Sequence, residues 1–206
     1  NNEGLWEMYK KNTFWGQGGQ CGGMVFQAAV SALDIAVWDI KGKALNVPCY
    51  QLLGGKTNPT IRAYASQLQF DWDKVHRNIA DPKEYAEATR KAMAQGYTAI
   101  KVDPLCVKPN GVYAREPKPD PSWRLRGSLS PEVLNMGYER VKAMREAGGD
   151  KLDIIIELHA FTDMTTSVQL GQRLEELGIY YLEEPTDPTN VKTMKEIHNK
   201  LNIPIA

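Results

Sequence analysis

Charged side chains come at the ends of three apolar segments of the sequence. Lys101 and Asp103 end "YTAIKVD", Glu157 and His159 end "DIIIELH", and Glu183 lies near the end of "IYYLEE". If these segments are strands, alternation places Lys101 with Asp103 on one face and Glu157 with His159 on one face. Charged side chains are rarely buried unless they are paired or bind a metal. These five residues are therefore candidates for chemistry.

Glu157 and Glu183 are one strand–helix unit apart, so their strands should be neighbours at about 4.8 Å. Two carboxylates that close would repel each other unless a positive charge lay between them. Mg²⁺ would supply that charge, because it prefers oxygen ligands and takes only a few from protein. Lys101 alone would also neutralise one of them. We favour the metal, since a buried ion pair by itself is a weak source of stability.

From residue 60 onward, predicted strands and helices alternate. Asp81 with Glu84 forms a capping box, and Ser130 followed by proline starts another helix. The predicted strands span 60–66, 97–103, 152–159, 179–184 and 203–206, and the predicted helices span 81–96, 130–149, 162–178 and 189–201. This order predicts right-handed βαβ units and a parallel sheet. A doubly wound sheet and a (β/α)8-type barrel both fit, but charges at the carboxyl ends of the strands favour the barrel.

His159 alone would be interpreted as a structural histidine. Beside a metal, at the functional end of a barrel, it is better interpreted as an acid or a base.

Upstream, residues 26–45 carry apolar side chains at helical spacing, and further apolar residues widen that stripe. This pattern predicts a helix that is buried on much of its surface.

The long segment 106–131 exceeds an ordinary strand-to-helix turn, and such loops tend to be lids or binding loops. Arg115, Arg124 and Arg126 are candidates to bind a substrate carboxylate, and Trp123 is a candidate to cover the site. A solvated loop, or one that contacts another subunit, is an equally good interpretation.

Composition narrows the classes of partner. The 25 Lys and Arg residues balance the 25 Asp and Glu residues, so no general attraction to nucleic acid or to an anionic membrane is expected. No apolar run reaches the ~18 residues of a membrane helix, and the first residues lack a signal-peptide core. Three isolated cysteines suit reduced thiols, so a cytoplasmic protein is expected.

Four motifs in order carry a resemblance to a known family: "SALDIAVWDIKGKALNVPCYQLLGG", "GYTAIKVDP", "ELHAFTD" and "YYLEEPTDP" followed by "IPIA". Together they resemble the mandelate racemase branch of the enolase superfamily, most closely its acid-sugar dehydratases. The resemblance implies that residues 1–58 are the C-terminal part of an α+β capping domain with a linker helix. Residues 59–206 would be the first half of a (β/α)8-type barrel. It also implies an internal piece of a longer enzyme, inactive alone.

The resemblance assigns a role to several residues. Glu157 and Glu183 match the first and second Mg²⁺ ligands, although Asp is more frequent at the first position. The third ligand and the catalytic base are expected beyond Ala206. Lys101 matches the first lysine of the family's K-x-K strand, whereas Asp103 replaces the second lysine, which disfavours racemases and cycloisomerases.

A histidine at the position of His159 is typical of the dehydratases, so His159, Lys101 and Asp103 are the candidate catalytic residues. The implied function is a Mg²⁺-dependent lyase, expected to be a homo-oligomer. It would remove the proton on the carbon next to the carboxylate of a sugar acid and eliminate the β-hydroxyl, giving a 2-keto-3-deoxy sugar acid.

Mannonate dehydratases use a Tyr and an Arg of the long loop, for which Tyr113 and Arg115 are available. A racemase or cycloisomerase, and a regulatory relative without catalysis, are the alternatives.

Overall fold

The computed structural model describes residues 23–72, 76–114 and 122–206, with side chains described from residue 27 onward. The chain divides into two compact units, Asn1–Ile61 and Arg62–Ala206. In the described part of the chain, no helix has the length and apolar character needed to cross a membrane.

The first unit contains helix α1 (Gly23–Leu45) and the short helix α2 (Cys49–Leu52). The predicted helix is confirmed, but the expectation that much of its surface is buried is wrong. Ile35 and Ile40 are 68% and 64% exposed, and Leu33 is also exposed. The apolar residues lie on several sides of α1, and α2 is too short to cover them.

The second unit confirms the alternation of strands and helices. Its elements are α3 (Pro82–Ala94), β1 (Ala99–Val102), α4 (Pro131–Gly148), β2 (Asp153–Glu157), α5 (Met164–Leu174), β3 (Tyr181–Glu183) and α6 (Val191–Lys200). The three strands form a parallel sheet in the order β1-β2-β3. A parallel sheet of consecutive strands joined by helices fits part of the wall of a (β/α)8-type barrel.

The helices begin where their capping residues predict. The Asp81 side chain accepts from the Lys83 N–H, and the Glu84 side chain accepts from the Asp81 N–H, which completes the capping box. Ser130 caps α4 by accepting from the Val133 N–H. Each cap satisfies backbone donors that a helix leaves unpaired at its start.

The two outer predicted strands, 60–66 and 203–206, are much shorter than expected. The first is reduced to a parallel bridge between Ala65 and Ile100, and the last to a bridge between Ile205 and Leu182. Residues 60–64 form no ladder, and the first strand ends near its predicted end, where Gln67 adopts left-handed backbone angles, with φ of 63°, and starts a 3-10 turn over Leu68–Phe70.

The two faces of the sheet differ in chemistry. Ile100, Val102, Ile154 and Ile156 are buried in the apolar cluster that also contains residues of α3 and α4. The positions that alternate with them, at or near the carboxyl ends of the strands, carry the charged candidates, including Lys101 and Glu157. The alternation predicted from the sequence therefore separates the core from the site.

Buried Arg140 on α4 fixes the chain that follows β1. Its guanidinium donates hydrogen bonds to the carbonyls of Ala80, Pro104 and Val107, at 3.0, 2.8 and 2.6 Å. These bonds hold the first residues of the long loop against the helix.

Candidate functional site

Lys101 lies between two carboxylates from neighbouring strands. Its Nζ is 2.7 Å from Glu157 Oε2 and 2.6 Å from Glu183 Oε1. Glu157 and Glu183 are register partners in the β2–β3 ladder. The Tyr64 ring centroid lies 5.8 Å from the same ammonium. Both carboxylates thus converge on one cationic point, and Lys101 neutralises them directly.

This arrangement stabilises the charged forms of its members. Burial alone would lower the pKa of Lys101, but its hydrogen bonds to Glu157 and Glu183 outweigh burial and raise that pKa. Burial alone would raise the pKa of Glu157. Hydrogen bonds from Lys101 and from the His159 N–H hold the pKa of Glu157 below its ordinary value. The site is therefore an ionic cluster in a partly desolvated place.

His159 is oriented by a buried carboxylate. Its Nδ1 lies 3.1 Å from Asp103 Oδ2, while Asp103 Oδ1 accepts from the Leu105 N–H at 3.0 Å. Because a carboxylate only accepts, a neutral His159 donates from Nδ1 and carries its lone pair on Nε2. Such a histidine can carry a proton to or from a bound molecule.

The backbone at His159 is in an uncommon conformation. His159 and Ala160 have φ of 50° and 56°, and the His159 N–H donates to Glu157 Oε1 at 2.7 Å. Left-handed angles at residues other than glycine cost free energy and are concentrated at functional sites. The turn holds His159 beside Glu157.

A pocket of about 70 Å³ joins four of the five charged candidates, all except Glu183, to three neutral polar residues and one valine. Its lining comprises Ser66, Gln67, Gln69, Lys101, Val102, Asp103, Glu157 and His159. A larger concavity of about 350 Å³ lies in the first unit and includes Asp39 and Lys43. Those two side chains form an exposed pair, so the smaller pocket is the candidate active site.

The charged cluster fits a divalent cation in its donor chemistry. Mg²⁺ takes one or two protein carboxylates and completes its shell with water and substrate oxygens. Glu157 and Glu183 provide two carboxylates whose oxygens reach a common point. Among the residues that the structure describes, no group of three or more His, Cys, Asp or Glu side chains is placed to hold a metal. The described donor set is thus a pair of carboxylates.

The long loop differs from the expectation at Trp123. The structure places the Trp123 side chain in the core, 7% exposed, where its indole Nε1 donates to the Leu105 carbonyl at 3.0 Å, and not in the pocket lining. The core suits this indole because its ring is buried among apolar side chains and its N–H has a hydrogen-bond acceptor.

The remaining loop candidates that the structure describes, Tyr113, Arg124 and Arg126, are absent from the pocket lining. Arg124 is exposed, and Arg126 Nε donates to the Phe161 carbonyl at 3.2 Å. Tyr113 is bridged to Val107, with its ring 5.9 Å from that of Phe70. Arg115 lies outside the described residues.

Ser66, Gln67 and Gln69 are lining residues that sequence reasoning missed. They follow the first predicted strand, and barrel sites are built from the carboxyl ends of several strands. The same rule applied to residues 60–66 would have found them. Their neutral side chains gave no signal comparable to a buried charge.

Two family models match the chain. The enolase C-terminal domain-like family matches residues 84–206, and the mandelate racemase / muconate lactonizing enzyme N-terminal domain matches residues 1–54. D-gluconate dehydratase of Thermoproteus tenax is 32% identical over 178 residues, which are 86% of this chain and 31% of that protein. The D-galactonate dehydratase family member RspA of Cellvibrio japonicus is 28% identical over 211 residues, covering 99% and 49%.

A solved structure gives the same result in three dimensions. The crystal structure of a member of the enolase superfamily from Salmonella Typhimurium has a TM-score of 0.90 and 47% identity, covering 100% of this chain and 50% of that one. The chain therefore spans half or less of the length of each of these proteins.

Proposed function

Because the chain belongs to the mandelate racemase / muconate lactonizing enzyme branch of the enolase superfamily, we propose that the full-length protein is a Mg²⁺-dependent acid-sugar dehydratase. It would convert a sugar acid to a 2-keto-3-deoxy sugar acid. The observation that carries the proposal is the convergence of Glu157 and Glu183 beside an oriented His159. Relatives named as gluconate, galactonate and xylonate dehydratases support the substrate class.

Glu157 and Glu183 would hold Mg²⁺, which when bound would supply a Lewis acid beside the substrate carboxylate. Lys101 lies within reach of the same place, so its ammonium would stabilise negative charge that develops on the substrate. Both effects favour loss of the proton on the carbon next to the carboxylate. The base that takes this proton is expected on later strands of the barrel.

His159 would complete the elimination. In its protonated form it would donate a proton to the β-hydroxyl, so that the carbon–oxygen bond breaks and water leaves. Asp103 would hold the imidazole for this transfer and stabilise its positive charge. The resulting enol gains a proton on the former β-carbon and loses the proton of its hydroxyl group, which gives the keto acid, so the net change is the loss of one water.

Asp103 also bears on the racemase or cycloisomerase alternative. Those reactions need a base on this strand, and the resemblance places a second lysine there. Asp103 is buried, accepts from Leu105 and contacts His159, so it is suited to positioning the histidine. The non-catalytic alternative predicts a folded full-length protein that does not bind Mg²⁺.

The direct test is His159→Asn in the full-length protein. Turnover of aldonic and aldaric acids to keto acid should be lost, while Mg²⁺ binding measured by calorimetry should persist. His198→Asn is the matched control, because His198 is exposed on α6. Unchanged turnover in the His159 variant would remove this histidine from the reaction.

A further inference from the structure

The segment from Ser66 to Gln69 forms the uncharged part of the pocket. Its three lining side chains are a hydroxyl and two carboxamides, whereas the other lining side chains apart from Val102 are ionisable. Neutral donors and acceptors suit hydroxyl groups, whereas Lys101 together with a Mg²⁺ held by Glu157 and Glu183 would suit a carboxylate. The pocket thus has two chemically distinct parts.

Gln69 is fixed in a specific orientation. It is 2% exposed, and its Oε1 accepts from the Asp103 N–H at 3.2 Å. Only the carboxamide oxygen can accept, so the contact determines which end of the carboxamide faces Asp103. The amide nitrogen of Gln69 is therefore turned away from that contact, on a side chain that lines the pocket.

Gln67, which lines the pocket, has a left-handed backbone conformation. It is not a glycine, yet its φ and ψ are 63° and 39°. A residue other than glycine in this conformation lowers the stability of the folded protein. Such residues are concentrated at functional sites. Ser66 precedes it and is also exposed.

We propose that Ser66, Gln67 and Gln69 recognise the hydroxyl groups of the sugar acid and determine which epimer is accepted. The proposal rests on the proposed function, because it takes the substrate carboxylate to lie beside Lys101 and the Mg²⁺ that Glu157 and Glu183 would hold. The polyol chain then extends along the neutral part of the pocket. The Gln69 amide donates to a hydroxyl, and the Ser66 and Gln67 side chains donate or accept according to configuration.

Three substitutions test the segment in the full-length protein. Gln69→Glu retains an acceptor for the Asp103 N–H and replaces the donor with an oxygen. Gln67→Asn shortens the side chain while tolerating positive φ. Ser66→Ala removes the hydroxyl. Gln51→Glu makes the same chemical change on α2, outside the lining, and is the control for Gln69→Glu.

The ligands are D-gluconate and its epimers D-galactonate and D-mannonate, each of which differs from it at one hydroxyl-bearing carbon. Calorimetry with Mg²⁺ measures binding, and keto-acid formation separately gives kcat/KM. Loss of one hydrogen bond to one epimer should change the ratio of affinities by about tenfold. The two exposed variants keep the test valid if Gln69→Glu does not fold.

The outcomes separate this inference from the proposed function. The inference is supported if the substitutions at Ser66, Gln67 or Gln69 change the order in which the protein prefers the three sugar acids and Gln51→Glu does not. Equal weakening for all three acids, no change, or no binding by the unsubstituted protein overturns it. Selective binding without any turnover would refute the dehydratase while the recognition role stands.

Discussion

Glu157 and Glu183 occupy directly paired positions on neighbouring parallel strands, and both carboxylates contact the ammonium of Lys101. The register alone brings the two negative charges together, since adjacent strands lie about 4.8 Å apart. A positive charge is therefore a structural requirement at this point of the barrel. The same requirement makes the point suitable for a divalent cation.

Removing that ammonium should destabilise the protein in a way that Mg²⁺ corrects. Lys101→Met leaves two partly buried carboxylates without their shared partner, and we expect the free energy of unfolding to fall by about 1–3 kcal/mol. Added Mg²⁺ should raise the melting temperature more in this variant than in the unsubstituted protein. Thermal unfolding with and without Mg²⁺ measures both effects.

Lys43→Met is the matched control, because the Lys43–Asp39 pair is exposed to solvent. It should change stability little and leave the response to Mg²⁺ unaltered. If Lys101→Met is no more sensitive to Mg²⁺ than Lys43→Met, the two carboxylates do not form a cation site.

Glu157 should be required for Mg²⁺ binding. Glu157→Gln retains an oxygen that accepts from the His159 N–H but removes one negative charge, so the turn at His159 should persist. We expect Mg²⁺ affinity, measured by calorimetry, to fall about tenfold or more. Glu184→Gln is the control, because Glu184 is adjacent to Glu183 but exposed and absent from the pocket lining. Equal losses in both variants would contradict the assignment.

The alternation of elements and the polar ends of the strands could be predicted from the sequence, because period-two patterns and capping residues are local signals. Glu157, Asp103 and His159 were recognisable since charge is unusual at the end of an apolar strand. The short first strand was not predictable in the same way. Residues 60–64 have strand-like types, but only Ala65 pairs with the neighbouring strand, and pairing depends on a partner as well as on residue type.

Two other outcomes depend on tertiary contacts. Trp123 lies in a polar loop, and its place in the core follows from its membership of the apolar cluster and from its hydrogen bond to the Leu105 carbonyl. The exposed side chains of α1 have a core-like sequence, but burial needs a partner surface as well as apolar residues. Amphipathic pattern predicts which residues can be buried and leaves the partner undetermined.

Acid should weaken an ion cluster that lies outside the pocket lining. Burial alone would raise the pKa of Asp71, but the Trp72 N–H, Lys91 and Arg77 hold that pKa below its ordinary value. A lowered folded-state pKa gives stability that is present above the unfolded value, about 3.9, and lost as pH falls through the folded value. Asp71→Asn should thus cost about 1–2 kcal/mol at pH 7.

The difference in unfolding free energy between the unsubstituted protein and Asp71→Asn should shrink as the pH falls below about 4, because the Asp71 carboxylate of the unfolded chain becomes protonated there and that of the folded protein only at lower pH. Urea unfolding at several pH values measures it. Asparagine tolerates positive φ, so the φ of 66° at this position should not confound the comparison. A difference that stays constant down to pH 2 would mean that the charge of Asp71 contributes nothing.

Trp123 should act on stability rather than on substrate access. Trp123→Phe retains an aromatic ring in the core but leaves the Leu105 carbonyl without its donor, which should cost about 1–2 kcal/mol. Trp72→Phe removes an indole hydrogen bond to Gln95 near the surface and should cost less. Urea unfolding with substrate kinetics separates the two roles. A variant of Trp123 with normal stability and a raised KM would instead show that this residue covers the site.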